Sequence, residues 1–315
     1  MRFKGLDLNL LVAFDVLLDE CNVSRAAERL HLSQPAVSAA LRRLRDFFND
    51  PLLALHGKRM VPTPHAVALR PQIKQLLVEV DSLISRSTQF DPATSDRWFR
   101  ICVSDYLSTV LFGTLIPSLS AKAPNVRLDL QPPSEEMPVM LERGEIDLVL
   151  TPDQHCVPGH PTELLFEERH VVAGWRDNPL MAAPISEDAF YDAGHVAVEI
   201  GRLARVSFAE LHLRARGRER RVEVIASSFS LVPDLLVGND RLAIMHERLA
   251  RTLSTRLPIV WHPLPFQIPV MREMIQFHRT RGDDPGLRWL IGELHHAAHH
   301  SQNLSQTINT ISFWD

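Results

Sequence analysis

Cysteine is scarce in this chain: 3 in 315 residues, at Cys21, Cys102 and Cys156, widely spaced and without a CxxC pair. They read as ordinary reduced thiols of a cytosolic protein, with redox sensing as the minor alternative. Long apolar runs are lacking too. Nothing stays apolar for the roughly eighteen residues that span a bilayer. Arg2, Lys4, Asp7 and Asp15 interrupt the opening segment where a secretory signal needs an apolar stretch. The expectation is a cytoplasmic protein with no membrane partner. Catalytic signatures are also missing: there is no Gly-x-Ser-x-Gly elbow, no Gly-rich phosphate loop and no HExxH pair. No enzymatic activity and no cofactor are expected. His295, His296, His299 and His300 have a spacing that can grip a metal, but they read better as the polar end of a helix, so no metal site is assigned. Finally, the chain has no excess of positive charge. Its formal net charge of −4 argues against a protein that coats nucleic acid generally.

Positive charge is instead local. Arg42, Arg43, Arg45, Lys58 and Arg59 face only Asp46 and Asp50 in their region. They lie at the end of, or just beyond, the most informative run of the chain, Val23 to Leu44, which reads as two short helices joined by a tight turn. Ala26 and Ala27 are small enough for close helix approach, Leu30 anchors the first helix, and Leu32 is expected to plug the turn. Ser33 stands as N-cap of the second helix, with Pro35 tolerated in its first turn. Ala36, Val37, Ala40, Leu41 and Leu44 form its buried stripe. Gln34, Ser38, Arg42 and Arg45 share another face, which has hydrogen-bond donors and no apolar residue. Such a face suits a DNA major groove, although an arginine-rich helix face can equally be plain solvated surface. The context favours DNA. Leu6 to Leu18 supply an apolar helical pattern for a third helix, and Pro51 to Thr63 read as two short strands around a basic turn at Gly57. That hairpin suits a wing on phosphates or the minor groove.

Several residues together resemble the winged helix-turn-helix of LysR-type transcriptional regulators. They are Asp7-Leu8-Asn9-Leu10-Leu11, Ala26-Ala27, Leu32-Ser33-Gln34-Pro35-Ala36-Val37-Ser38, Leu44 and Pro62-Thr63-Pro64. The opening from Met1 to Val12, with Phe48-Asn49-Asp50, is similar to the NodD-like branch of rhizobial nodulation-gene activators. The common family wing has an arginine near the place of Leu55; that branch also lacks it. The resemblance implies DNA contacts from Ser33, Gln34, Pro35, Ser38, Arg42, Arg43, Arg45, Lys58 and Arg59. It further implies partners in promoter DNA and RNA polymerase, and assembly as a homodimer or dimer of dimers.

From Thr63 to about Ser87 the pattern predicts one long helix, with a kink near Pro71. Leu69, Ile73, Leu76, Val80 and Leu83 recur four, three, four and three apart, the spacing of a coiled-coil seam. Two readings stay open: pairing with a second subunit, which the family resemblance favours, or packing against the chain's own domain.

Beyond residue 91 strand-like and helical runs alternate, which signals an α/β sheet. The fold class is thus a two-part α+β chain. A winged helix-turn-helix occupies residues 1–65, a linker and dimerisation helix 66–90, and an α/β effector-binding domain 91–300, before a patternless, mobile tail at 301–315. The resemblance implies two lobes joined by two crossing strands, as in periplasmic binding proteins. Ligands in such sheets sit at the carboxyl ends of strands. That rule nominates Ser104, Asp105, Thr151, Ser227, Phe229 and His246, with Arg169 and His170 near the hinge. Several of these could equally be helix caps or surface residues. The resemblance implies a small aromatic inducer. Nodulation-branch inducers are plant flavonoids, and close relatives take aromatic acids and other aromatic metabolites. Regulation of an aromatic-metabolite operon, or regulation without an inducer, are the alternatives.

Overall fold

A computed structural model describes the backbone of residues 2–3, 6–56, 59–87, 90–200 and 205–311, and the side chains of all these but 2–3, 81–82, 84–87, 205 and 300–311. The chain divides into two units, Met1–Thr88 with Glu142–Gly144, and Gln89–Leu141 with Glu145–Asp315.

In the first unit β1 (Arg2–Phe3) pairs with β2 (Leu6–Asp7) ahead of three helices, α1 (Asn9–Glu20), α2 (Val23–Leu30) and α3 (Gln34–Phe48). Left-handed residues punctuate them: Cys21, His31 and Asn49 have φ of 45°, 52° and 49° and close the ends of α1, α2 and α3. Asn22 caps α2, its Oδ1 accepting from the amides of Ser24 (2.9 Å) and Arg25 (3.1 Å). Ala26 and Ala27 are buried where the helices meet, and Phe14, Leu17, Val37, Leu41 and Leu44 fill the space around them. Two expectations fail. Leu32 does not plug the turn but stands 53% exposed, and Ala36 is exposed rather than part of the buried stripe. One turn into α3, the apolar face has not yet reached the core.

β3 (Leu53–His56) and β4 (Arg59–Pro62) form the expected antiparallel hairpin. α4 (Pro64–Ser87) follows, Thr63 Oγ1 accepting from the Ala66 amide at 3.1 Å. The coiled-coil seam splits. Ile73 is buried and Leu69 half-buried in the core of their own unit, whereas Leu76 and Leu83 are exposed.

The second unit holds two sheets. In the first lobe the order is β6-β5-β7-β15-β8, with β5 (Trp98–Cys102) parallel to β6 (Arg127–Gln131) and β7 (Leu148–Pro152), and β15 (Met271–Gln276) antiparallel to β7 and to β8 (Thr162–Glu168). The second lobe runs β11-β10-β13-β9-β14, with β12 also on β10. Its strands are β9 (His170–Trp175), β10 (Gly194–Ile200), β11 (Arg205–Val206), β12 (Arg221–Ala226), β13 (Leu242–His246) and β14 (Ile259–Pro263). The chain crosses between lobes twice, at Arg169 and between β14 and β15. Helices cover the sheets. In the first lobe α5 (Asp105–Leu107), a π-turn (Ser108–Phe112) and α6 (Gly113–Lys122) run on from one another, followed later by α7 (Met137–Glu142). The second lobe carries α8 (Glu187–Asp192), α9 (Phe208–Ala215), α10 (Val232–Leu236) and α11 (Glu247–Ser254). The last helix, α12 (Pro285–Ile311), packs its Leu287, Leu290 and Leu294 into the main core. The sequence predicts a patternless tail from residue 301, but the helix runs on through it to Ile311. No helix among the described residues is long and apolar enough to cross a membrane.

Asp284 seats α12. Its two carboxylate oxygens accept from Arg97 Nη1 at 2.5 Å and Nη2 at 2.6 Å, and Oδ1 also accepts from the Leu287 amide at 3.0 Å. Burial alone would raise this carboxyl, but the Arg97 fork overcomes it and holds the group below the usual carboxylate range. Replacing Asp284 by Ala takes the bidentate carboxylate from Arg97 and uncaps the helix. The expected loss is about 3 kcal/mol in denaturant unfolding at neutral pH. Because the folded carboxyl titrates below the unfolded one, the difference from wild type should shrink as pH falls through the acid range. An unchanged unfolding midpoint at pH 7 would show that Arg97 and Asp284 do not hold the helix.

Candidate functional site

Two places in the molecule gather the nominated residues. The first is the amino end and outer face of α3. Ser33 caps the helix, its Oγ accepting from the Ala36 amide at 3.4 Å. Ser33, Gln34, Pro35 and Arg42 are exposed and Ser38 half-buried. Hydroxyl, amide and guanidinium groups thus line a face whose opposite side, Val37-Leu41-Leu44, is locked into the core. The hairpin beside it carries Arg59 on β4; Lys58 lies outside the described residues.

Arg45 is a correction. It was grouped with the outward face, but its Nε and Nη2 each donate at 2.7 Å, to the carbonyls of Pro51 and Leu53. Asp50 works from the same corner, Oδ1 accepting from the Leu52 amide (2.7 Å) and Thr63 Oγ1 (2.6 Å). The Thr63 hydroxyl and the Leu52 amide hold this carboxyl below its usual range. Arg45 and Asp50 therefore tie the hairpin to α3 and position it. Arg43 is partly engaged, 3.6 Å from Asp7.

The second place is a cavity between the two lobes of the C-terminal unit. Of the nominated residues Ser104, Thr151, Phe229 and His246 line it. The other nominations fall elsewhere. Asp105 accepts across the lobes from Ser228 Oγ (2.8 Å), the Ser230 amide (2.7 Å) and Ser230 Oγ (2.8 Å). It latches the lobes rather than facing the cavity. Ser227 and Arg169 are exposed to solvent, and His170 is buried against the Phe208 ring at 5.6 Å. Ser104 does also cap its helix, accepting from the Leu107 amide at 3.3 Å.

Sequence reading missed the most consequential wall residues, Tyr106, Phe208 and Glu273. Tyr106 stacks on His246, ring centroids 3.8 Å apart and planes 7° from parallel, and Phe229 meets the same imidazole edge-on at 4.7 Å. Burial, then the neighbouring His170, depresses the His246 imidazole well below its usual range, so it is neutral at pH 7. Behind the wall the Tyr106 hydroxyl donates to Glu168 Oε2, which also lies 3.4 Å from Arg248 Nε. The Arg248 amide donates to Glu168 Oε1 at 3.2 Å. Burial pushes the Glu168 carboxyl up to about 7 despite Tyr106 and Arg248 pulling it down. Glu273 reaches about 8, driven by burial and then by the charges of Glu168 and Asp153. A position next to the nominated Ser104-Asp105 pair was the one available hint of Tyr106. Glu273 gave none, because a glutamate in a strand ordinarily reads as solvent-facing.

Comparison with known proteins places these two sites in context. Residues 8–67 match the family described as bacterial regulatory helix-turn-helix protein, lysR family, and residues 93–298 match the LysR substrate binding domain. Nodulation protein D 1 of Bradyrhizobium sp. (strain NC92) is 41% identical over 293 residues, 92% of each chain. Nodulation protein D 1 of Bradyrhizobium elkanii is 40% identical with the same coverage. Among solved structures, the "probable transcriptional regulator PA0477" of Pseudomonas aeruginosa superposes with a TM-score of 0.68 at 30% identity, over 92% of this chain and 97% of that one.

The buried acids make the stability of the C-terminal unit depend on pH. Folded Glu168 and Glu273 keep their protons to about 7 and about 8, far above the ordinary 4.5, so the folded state loses an advantage as pH rises between these values. His170 and His195, depressed to about 4, act in the opposite direction below their ordinary 6.5. The difference between Glu273→Gln and wild type isolates the acid. The variant should gain thermal stability relative to wild type progressively from about pH 5 to about pH 8. A difference that stays constant with pH would mean that Glu273 is charged throughout.

Proposed function

The chain belongs to the LysR family of bacterial regulatory helix-turn-helix proteins, and from that premise we propose that it activates transcription by binding promoter DNA through α3 and an aromatic inducer between its C-terminal lobes. The observation that carries the DNA reading is the outer face of α3, with Ser33, Gln34, Pro35 and Arg42 exposed above a buried Val37-Leu41-Leu44 stripe. Arg42 and Gln34 suit base edges, Ser33, Ser38, Arg43 and Arg59 the phosphates and sugars. The relatives named for nodulation support target genes of that kind, and we extend the reading to a flavonoid as the inducer and RNA polymerase as the protein partner. Regulation of an aromatic-metabolite operon shares this mechanism and differs only in the ligand. An inducer that prefers one lobe arrangement shifts the population toward it, and a coupling of about 1–3 kcal/mol suffices for a several-fold to hundredfold response.

A fluorescence titration against the chain's own upstream DNA, with unrelated competitor DNA at two salt concentrations, tests the DNA reading. Selective affinity that falls steeply with salt is expected, since phosphate contacts release counterions. Arg42→Ala should weaken specific binding about tenfold, whereas Arg45→Ala should act mainly through loss of folding stability. Binding without selectivity would overturn the regulator reading, and a footprint that no aromatic compound alters would favour inducer-independent regulation.

Dimerisation follows from the need to read two half-sites, and the exposed Leu76 and Leu83 offer the seam. Replacing Leu76 and Val80 together by Asp should convert the sedimenting species to a monomer. Unaltered sedimentation would remove α4 from the interface, whether of a dimer or of a dimer of dimers.

A further inference from the structure

We infer that Glu273 is the residue that sets effector specificity, accepting an uncharged, hydroxyl-bearing aromatic molecule into the inter-lobe cavity and rejecting aromatic carboxylates. The inference rests on the reading of that cavity as the effector site.

Glu273 is only 2% exposed yet lines the cavity. Its Oε2 is buried and has no hydrogen-bond partner among the described residues. A buried carboxyl oxygen left in that state is costly unless something else meets it. Strand alternation puts it there: β15 pairs with β7 in unbroken register from Glu273 to Gln276, and Glu273 lies two residues from Met271, which lines the same cavity. Glu168, which also sits in this interior, is already shared between Tyr106 and Arg248, so the free valence belongs to Glu273.

The charge around the cavity decides what can meet that oxygen. Among the described residues no lysine or arginine lines it. The charged neighbours that act on Glu273 are themselves acids, Glu168 and Asp153. A ligand carboxylate would have to shed its water in an apolar space and lie near the acids Glu168 and Asp153. An ammonium would pair with Glu273 but would have to shed its water among Leu150, Met271, Phe208 and Phe229. A ring hydroxyl avoids both costs. It can donate to the carboxyl, or accept from it when the acid is protonated, while the ring lies against the aromatic wall. Burial and the two neighbouring acids, which push Glu273 up to about 8, are in keeping with a neutral carboxyl at pH 7.

The test uses the full-length chain at pH 7 and six probes: naphthalene and flavone, each carrying a single hydroxyl, carboxylate or aminomethyl group. Affinities come from calorimetric titration of wild type, Glu273→Ala and Glu273→Gln, with DNA affinity measured on the same samples. At least one hydroxyl probe should bind wild type, and its carboxylate counterpart should bind about a hundredfold more weakly or not at all. Glu273→Ala should weaken the hydroxyl probe about tenfold or more. Glu273→Gln, which keeps a donor and an acceptor in the same shape, should stay within about threefold of wild type. The inference is overturned by a carboxylate or aminomethyl probe that binds tightest, by hydroxyl binding indifferent to Glu273→Ala, or by no hydroxyl binding at all. DNA affinity separates the layers. If selective DNA binding persists while the probes fail, only this inference falls; if DNA selectivity itself is missing, the regulator reading falls with it.

Discussion

The C-terminal unit turns on one carboxyl group. Glu168 is the last residue of a first-lobe strand, one residue before the chain crosses at Arg169 into the second lobe. It is 1% exposed, and its partners come from both sides, the Tyr106 hydroxyl from the first lobe and the Arg248 amide and guanidinium from the second. A buried acid that loses a partner is left with an uncompensated polar group, so all three must be present together. That requirement fixes the crossing and orients the Tyr106 ring, which through its stack on His246 forms one wall of the cavity. The Asp105 latch to Ser228 and Ser230 then draws the lobes together at a second point. Latch and wall thus come from two adjacent positions in the chain, Asp105 and Tyr106, and Tyr106 also holds the hinge acid Glu168.

What could be read from the sequence followed periodicity. The α3 stripe of Val37, Leu41 and Leu44, the Ser33 and Thr63 caps and the hairpin from Leu53 to Pro62 are local patterns, set by residues within one or two turns of each other. What was misread depended on partners far along the chain. Arg45 looks outward by spacing, yet it turns to carbonyls that only the folded hairpin supplies. The strand from Thr162 to Glu168 is hard to read locally because Glu163, Glu167 and Glu168 interrupt its apolar pattern, and one of those acids sits at the hinge. The last helix outran its expected end because its early leucines bury into the main core, which can extend a helix beyond what local pattern suggests.

The candidate sites differed in the same way. On α3, function and local pattern coincide: the face that cannot be buried is the face that can bind, so amphipathicity alone finds it. The cavity offers no such shortcut, since its wall is assembled from loop and strand residues drawn from both lobes. Strand-end reasoning found the four wall residues that follow from topology, Ser104, Thr151, Phe229 and His246, and nominated neighbours that cap, latch or face solvent instead.

The misreadings at the cavity share a physical cause. Glutamate in a strand reads as exposed because burying an unpaired acid is unfavourable. Glu273 breaks that rule, and the fold offsets the cost elsewhere through the large leucine- and phenylalanine-rich core around α12. A stable fold could place a leucine at this position and gain from it. An acid kept there, with one oxygen unpartnered among the described residues on the wall of the cavity, is a group that a hydrogen-bonding occupant would complete. Positions where sequence rules fail without a structural benefit are where ligand chemistry is expected to be written, and in this chain that position is residue 273.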